Sequence, residues 1–214
     1  NKTAIVTGGG TGIGAGICEA LAQEGVNVGI NYIVEKEAVE KFANELNEKY
    51  GTKCIPVYAD VSKGTDLDQM VEEMISTYGQ IDILVNNAGI WPTENALEMP
   101  DENWSRVMDI NLNGPYMLCK RVMNQMVDKK IQGSIINITS KSAFQYNTAG
   151  HAHYATAKAG INMLVRTLAR ESAEFGIRVN GIAPGMVRTP INEDKWGDPE
   201  LQEYYNKRIP VGRF

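Results

Sequence analysis

Apolar and polar positions along the chain fall into two alternating patterns. Short runs rich in Val, Ile and other apolar residues are each followed by a longer amphipathic stretch. The first pattern predicts buried strands and the second helices that cover them. Thr3–Thr7 reads as a strand and Ile13–Gln23 as a helix ended by Gly25; Asn27–Asn31 is a second strand, followed by a charged helix over Glu35–Tyr50 that Gly51 stops. Lys53–Tyr58 gives a third strand, Asp66–Tyr78 a helix and Ile81–Val85 a fourth strand. A long helical region runs from Asp101 to about Lys130, with an interruption predicted near Gly114-Pro115. Ser134–Ile138 is the fifth strand, His153–Phe175 a helix and Ile177–Ile182 the sixth strand.

Strands alternating with helices of this length imply right-handed β-α-β units and a parallel sheet covered on both faces. The nearly unbroken apolar core of strands such as Ile81-Asp82-Ile83-Leu84-Val85 agrees with burial on both sides. No repeat, low-complexity tract or linker composition marks a domain boundary, so residues 1–214 are taken as one domain. The tail differs. Pro190, Pro199 and Pro210 bracket a short charged helix near Pro199–Lys207, and the region 189–210 reads as a lid or substrate loop.

Composition narrows the function. With 214 residues, 43% hydrophobic and 22% charged, the chain is long enough to fold around its own core without disulfides or metals. A net charge of −5 argues against nucleic-acid or anionic-membrane binding, and no apolar run approaches the length of a membrane span. Asn1 opens on Lys-Thr-Ala-Ile-Val-Thr without a signal-peptide pattern, and the missing initiator Met implies that the true start is not shown. Cys18, Cys54 and Cys119 are far apart and form no metal-ligand or disulfide pattern. They read as small buried hydrophobes in a reducing compartment, by default the cytoplasm, and no metal is expected.

Chemistry enters at Thr7-Gly8-Gly9-Gly10-Thr11-Gly12-Ile13-Gly14, between the first strand and the first helix. Glycines there let the backbone turn sharply and approach a pyrophosphate, while the helix N-terminus offers free N–H groups. The spacing T-G-x-x-x-G-x-G resembles that of the short-chain dehydrogenases/reductases. Four further strings fall in that family's order: Asp60-Val61, Asn86-Asn87-Ala88-Gly89, Tyr154-x-x-x-Lys158, and Pro184-Gly185 with Thr189; Asn111 and Ser140 also sit where the family has them. The resemblance spans essentially the whole chain. It implies an α/β, Rossmann-like doubly wound parallel sheet in a single domain, six strands within the chain and a seventh beyond residue 214. It also implies a homotetramer, built through the helices on either side of the fifth strand.

Tyr154 and Lys158, four apart on a predicted helix, project from one face. A phenol of pKa ~10 is a poor base at neutral pH. An ammonium 4 Å away favours the phenolate by ~4 kcal/mol at an effective dielectric near 20, enough to lower the pKa by about three units. The pair is thus expected to pass a proton to or from an alcohol oxygen. The resemblance makes Tyr154 the acid/base, gives Lys158 the nicotinamide ribose as well, and has Ser140 orient the substrate carbonyl. Ser140 lies fourteen residues before Tyr154, one more than the family's usual spacing, while Ser142 lies twelve before it. The Ile-Thr-Ser run favours Ser140, with Ser142 as the alternative. Asn111 completes the set by binding a water that links Lys158 to solvent.

For the cofactor, the resemblance assigns Thr7, Gly8, Thr11, Gly12, Ile13 and Gly14 to the pyrophosphate and Asp60-Val61 to the adenine. Asn86, Asn87, Ala88 and Gly89 form the floor, Tyr154 and Lys158 hold the ribose, and Pro184, Gly185, Val187 and Thr189 fix the nicotinamide face. Tyr32 occupies the position where an acidic residue would bind the ribose hydroxyls of NAD, and Ile33 and Thr11 stand where NADP-dependent relatives carry a base. With no carboxylate at Tyr32 and with Lys36 nearby, the reading leans to NADP over NAD. His151 and His153 flank the catalytic tyrosine without a carboxylate at triad or ligand spacing, and a hydrogen bond to substrate is the expected role. Trp91, Ser142, Gln145, Tyr146 and Trp196 join them as candidate walls of a pocket for a sugar, polyol or other polar alcohol. The runner-up is a 3-oxoacyl-thioester reductase, for which Lys129-Lys130, Arg166 and Arg170 offer a modest docking patch. A nucleotide-sensing binding protein without turnover is the competitor from another class, and Tyr154 and Lys158 count against it.

Overall fold

A six-stranded parallel sheet organises the computed structural model, in which residues 1–144, 149–190, 193 and 198–213 are described. The strands are β1 (Thr3–Val6), β2 (Asn27–Tyr32), β3 (Ile55–Tyr58), β4 (Ile83–Asn86), β5 (Ser134–Ile138) and β6 (Arg178–Ile182). Their order across the sheet is β3-β2-β1-β4-β5-β6, with every neighbour parallel. The order reverses between β1 and β4, so a crevice opens beyond the carboxyl ends of those two strands, the usual ligand position in such sheets.

Two layers of helices bury the two faces. The helices are α1 (Gly12–Gln23), α2 (Lys36–Tyr50), α3 (Gly64–Tyr78), α4 (Asp101–Met108), α5 (Gly114–Asp128), α6 (Ala152–Ser172) and α7 (Pro199–Asn206). On one side Cys18 and Ala22 of α1 and Val39, Ala43 and Leu46 of α2 pack on Ala4, Val6, Val28 and Ile30. On the other, Met70 and Met74 of α3, Leu118, Val122 and Met126 of α5 and Leu168 of α6 pack on Ile5, Leu84 and Ile135. Apolar residues at three- and four-residue spacing put these side chains on the inward stripe of each helix. All three cysteines are buried and unpaired, as their apolar neighbours suggest.

The long helical region departs from the sequence expectation. No break occurs at Gly114-Pro115; instead α4 passes into a π-helical turn over Asp109–Asn113, and α5 begins directly at Gly114. Pro115 sits in the first turn of α5, but the residues before it are already helical, so its missing N–H coincides with the shift of the bonding to the π register just before it. A π turn widens the helix by one residue, and such turns recur at functional sites. Here the turn carries Asn111. No helix among the described residues is long and apolar enough to cross a membrane.

Candidate active site

Because all six strands run the same way, the loops after β1, β4, β5 and β6 emerge at one edge of the sheet. They enclose a cavity of about 620 Å³. At one end lies the glycine turn, held by hydrogen bonds to its neighbours. The Thr7 hydroxyl oxygen accepts the backbone N–H groups of Asn87 (2.9 Å) and Ala88 (3.0 Å), and Asn87 Nδ2 donates to the carbonyls of Thr7 (2.9 Å) and Gly8 (3.1 Å). The Asn31 carboxamide accepts from Gly8 N–H (3.1 Å) and donates to the carbonyls of Val57 (3.3 Å) and Ala59 (3.0 Å). A Cβ at Gly14 would strike the Gly8 carbonyl oxygen, so only glycine lets α1 begin this close to the turn. The result is a backbone cradle at a helix N-terminus, the arrangement that holds a dinucleotide pyrophosphate.

At the other end the catalytic candidates converge. Ser140 follows β5 and caps the short turn over Lys141–Ala143, its oxygen accepting the Ser142 N–H at 3.1 Å. Ser140 and Tyr154 line the same cavity, and the Ser140 hydroxyl acts on the Tyr154 phenol. Burial pushes the Tyr154 phenol above its ordinary value, and the Ser140 hydroxyl, which favours the phenolate, pulls it part of the way back. Lys158 lies one turn further along α6, its ammonium 5.7 Å from the centre of the Tyr154 ring. It is 5% exposed, donates to the Ile138 carbonyl at 2.8 Å, and burial lowers its pKa to about 8. This corrects the expected lowering of the tyrosine by its neighbour. The ammonium is turned to a backbone carbonyl and its own charge is penalised by burial, so the phenol remains raised.

Asn111 is fully buried, and both its polar atoms hold Ile90: Oδ1 accepts the Ile90 N–H (2.9 Å) and Nδ2 donates to the Ile90 carbonyl (2.8 Å). Its side chain therefore fixes the loop after β4, where the sequence suggested a water between it and Lys158. A Cβ on Gly89 would lie 2.7 Å from Asn111 Oδ1 and 3.7 Å from Lys158 Nζ, so the three are packed together without space to spare.

Of the sequence candidates, Gly8, Thr11, Gly12, Ile13, Asn87, Ala88, Gly89, Trp91, Ser140, Ser142, His151, Tyr154, Lys158, Pro184, Gly185, Val187 and Thr189 line the cavity. Thr7, Gly14 and Asn111 stand behind the lining and support it. Asp60 and Val61 stand away from it: the Asp60 carboxylate accepts from the Ser62 N–H and hydroxyl ahead of α3, and Val61 packs into the core. Tyr32 is also outside the cavity, edge-on to Tyr58 with ring centres 5.9 Å apart. His151 stacks on Trp91 (4.8 Å, 25°), its Nδ1 donating to the Pro92 carbonyl, and Trp91 lies 6.2 Å from the Tyr154 ring. His153 is wholly buried and does not line the cavity, because the first turn of α6 directs it inward. Trp196, Gln145 and Tyr146 lie outside the described residues. The sequence reading missed Asn95, Lys141, Met186 and Tyr205, all of which line the cavity. Adjacency to Ser140 was the available signal for Lys141; Tyr205 carried none beyond its place in the lid region.

Comparison with known proteins agrees with this arrangement. Residues 2–200 match the family model described as short chain dehydrogenase. The chain is 39% identical to 3beta-hydroxysteroid dehydrogenase 1 of Eggerthella lenta, over 99% of this chain and 80% of that protein. It is 38% identical to the 3-oxoacyl-[acyl-carrier-protein] reductase FabG of Staphylococcus epidermidis, over 100% of this chain and 86% of the relative. The crystal structure of a gluconate 5-dehydrogenase from Burkholderia cenocepacia, in complex with NADP and tartrate, superposes with a TM-score of 0.93 at 30% identity, covering 100% of this chain and 82% of that one. A parallel sheet in this order, a glycine cradle and a Ser-Tyr-Lys cluster are thus joined to similarity over the full chain, and the protein belongs to the short-chain dehydrogenase family of oxidoreductases.

Proposed function

We propose that the protein transfers a hydride between NADP(H) and a secondary alcohol or ketone, with Tyr154 as acid/base and Ser140, Lys158 and Asn111 as its partners. The observation that carries this is that Ser140, Tyr154 and buried Lys158 line one cavity with the glycine cradle. The helix N-terminus at the glycine turn, the absence of room for a Cβ at Gly14, and a buried lysine ammonium donating to the Ile138 carbonyl all fit a nicotinamide dinucleotide. When bound, that group supplies or accepts the hydride. The chain's own part is proton movement and placement. In reduction, the Ser140 hydroxyl donates a hydrogen bond to the substrate carbonyl oxygen, and Tyr154 gives up its phenolic proton to that oxygen as charge develops on it. Lys158, whose ammonium lies 5.7 Å from the centre of the Tyr154 ring, places a positive charge beside the phenolate left behind. Oxidation runs the same steps in reverse.

Thr7, Gly8, Thr11, Gly12, Ile13 and Gly14 would cradle the pyrophosphate, and Asn87, Ala88 and Gly89 with Pro184, Gly185, Val187 and Thr189 would flank the nicotinamide half. The preference for NADP rests on Tyr32 standing where a carboxylate would repel a 2′-phosphate, and on Lys36 at the exposed start of α2. There Lys36 already pairs with Glu40 at 3.5 Å, so its contribution is small. A small polar substrate, a sugar or polyol, suits the Trp91–His151 wall beside Tyr154 and agrees with the gluconate dehydrogenase likeness. A 3-oxoacyl thioester is the second reading, favoured by the identity to the staphylococcal reductase. Exposed Tyr116 on α5 and Met163 on α6 support a homo-oligomer, with a tetramer proposed, and a cytoplasmic location is proposed with it.

Initial rates over a panel of polyols, sugars, sugar acids and 3-oxo esters, each with NAD and NADP, test the reading. Tyr154→Phe is expected to bind NADPH as the parent does and to lose about 10²–10⁴-fold in kcat. Near-parental turnover in that variant removes Tyr154 from the mechanism; a clear NAD preference reverses the cofactor assignment.

A further inference from the structure

Among the buried polar atoms of the described residues that have no hydrogen-bond partner are His153 Nε2 and Glu94 Oε2. They belong to neighbouring elements, and the rest of each side chain is firmly held. His153 sits in the first turn of α6, wholly buried, and its Nδ1 accepts the backbone N–H of Tyr154 at 2.9 Å. A neutral imidazole that accepts at Nδ1 carries its proton on Nε2, so a donor faces the interior. Glu94 lies in the loop after β4. Its backbone N–H donates to the Gly150 carbonyl at 2.8 Å, and its Oε1 accepts from Asn103 Nδ2 of α4 at 2.7 Å. Its second oxygen is left as an acceptor inside the protein. A buried donor and a buried acceptor left without partners are each costly, and Glu94 is anchored to Gly150 just ahead of α6, the setting in which one ordered water is retained.

We propose that Glu94 and His153 are joined through one buried water into a clasp that fastens the pocket loop after β4 to the first turn of α6, making His153 a positioning residue for the Tyr154 phenol. His153 grips Tyr154 through its backbone, and the clasp fixes His153. The same loop carries Trp91, which lies 6.2 Å from the Tyr154 ring, so the clasp sets the pocket wall and the proton donor relative to each other. The electrostatics agree. Burial holds His153 below its ordinary value, while Glu94 and the His151 carbonyl oppose that shift. Asp101, Glu102 and Arg106 on α4, Asp109 on the π turn, Lys141 after β5 and Lys158 on α6 are the other charged groups of the surrounding elements. Glu94 is the one whose charge acts on the ring.

The positioning role rests on Tyr154 being the proton donor, as proposed above; the clasp itself does not. With two histidines in the chain, both imidazole Cε1–H resonances can be titrated by NMR and assigned with a His151→Gln variant. In Glu94→Gln the His153 midpoint is expected to fall by about one unit, with His151 unmoved. An unchanged His153 midpoint overturns the clasp. In kinetics, His153→Leu is expected to lower kcat on the order of ten- to a hundred-fold, with the NADPH dissociation constant unchanged. His153→Gln, whose amide keeps a donor towards Glu94, should recover most of the loss. Parental kcat in His153→Leu, or equal losses in the Leu and Gln variants, overturns the positioning role. If the parent turns over no member of the panel with either nucleotide, the oxidoreductase reading fails and the positioning role falls with it, while the titration still decides the clasp.

Discussion

Replacing Lys158 with methionine should make the protein more stable while removing its turnover. The side chain is 5% exposed, and its pKa is lowered by burial from about 10.5 to about 8. At 1.36 kcal/mol per pH unit, that drop means the folded state pays ~3 kcal/mol to keep the ammonium charged. Methionine matches the length of the chain and carries no charge to desolvate. Against the gain stands the Ile138 carbonyl, which loses its 2.8 Å donor at a cost of ~1 kcal/mol. The net expectation at pH 7 is ~2 kcal/mol of stabilisation, about 4–8 °C in Tm for a domain of this size. The pH dependence is distinctive. Above about 10.5 the lysine is neutral in both folded and unfolded chains and its burial carries no charge penalty. As the pH falls, the unfolded chain takes up the proton first, so the parent loses stability through the window down to about 8, and the full penalty holds below it. Thermal unfolding of the cofactor-free parent and Lys158→Met at pH 7, 8.5 and 10 checks this. The gap should be widest at pH 7 and should shrink by pH 10. A variant no more stable than the parent at pH 7, or a gap that ignores pH, would refute the reasoning.

Two other substitutions probe the scaffold behind the site. Asn111→Leu leaves both backbone groups of Ile90 unpaired in the interior and should cost ~2–4 kcal/mol in urea unfolding, with the loop after β4 loosened; a loss under 1 kcal/mol would show that Ile90 finds other partners. Gly14→Ala drives a Cβ into the Gly8 carbonyl and should weaken NADPH binding by at least about ten-fold, read by fluorescence titration. Unaltered affinity there would mean that the glycine turn does not carry the pyrophosphate.

Much of the fold was legible because strand and helix periods alternate cleanly. Ser134–Ile138 was placed to the residue, and the glycine that stops α2, Gly51, sits in the left-handed conformation that only glycine adopts cheaply. The π turn was not legible. Its sequence, Asp-Ile-Asn-Leu-Asn, is ordinary helix former and breaker in mixture, and the adjacent Pro115 drew the predicted break a few residues too late. At the site, the Tyr154–Lys158 spacing and the Ile-Thr-Ser run ending at Ser140 pointed to three residues that line one cavity, and Ser142, the alternative, lines it too. What spacing could not give was where each polar atom is spent. Asn111 holds Ile90, Lys158 holds Ile138 and His153 faces inward, and each outcome depends on tertiary neighbours far away in sequence. Nor could spacing give that the Asp60 carboxylate accepts from the Ser62 N–H and hydroxyl ahead of α3.

The carboxamide of Asn31 has a consequence for how this protein can change. It ties the glycine turn to β3, while the next three side chains, Tyr32, Ile33 and Val34, hold no part of that turn, and Ile33 and Val34 stand 53% and 68% exposed. On the proposed reading, Ile33 and Val34, which follow the position expected to meet the ribose, share none of the Asn31 bonds that hold the glycine turn. Substitutions at exposed Ile33 and Val34, by natural variation or by laboratory selection, come at little cost to the fold, whereas Tyr32 is paired in β2 and set edge-on to Tyr58. The grip itself is locked one residue earlier.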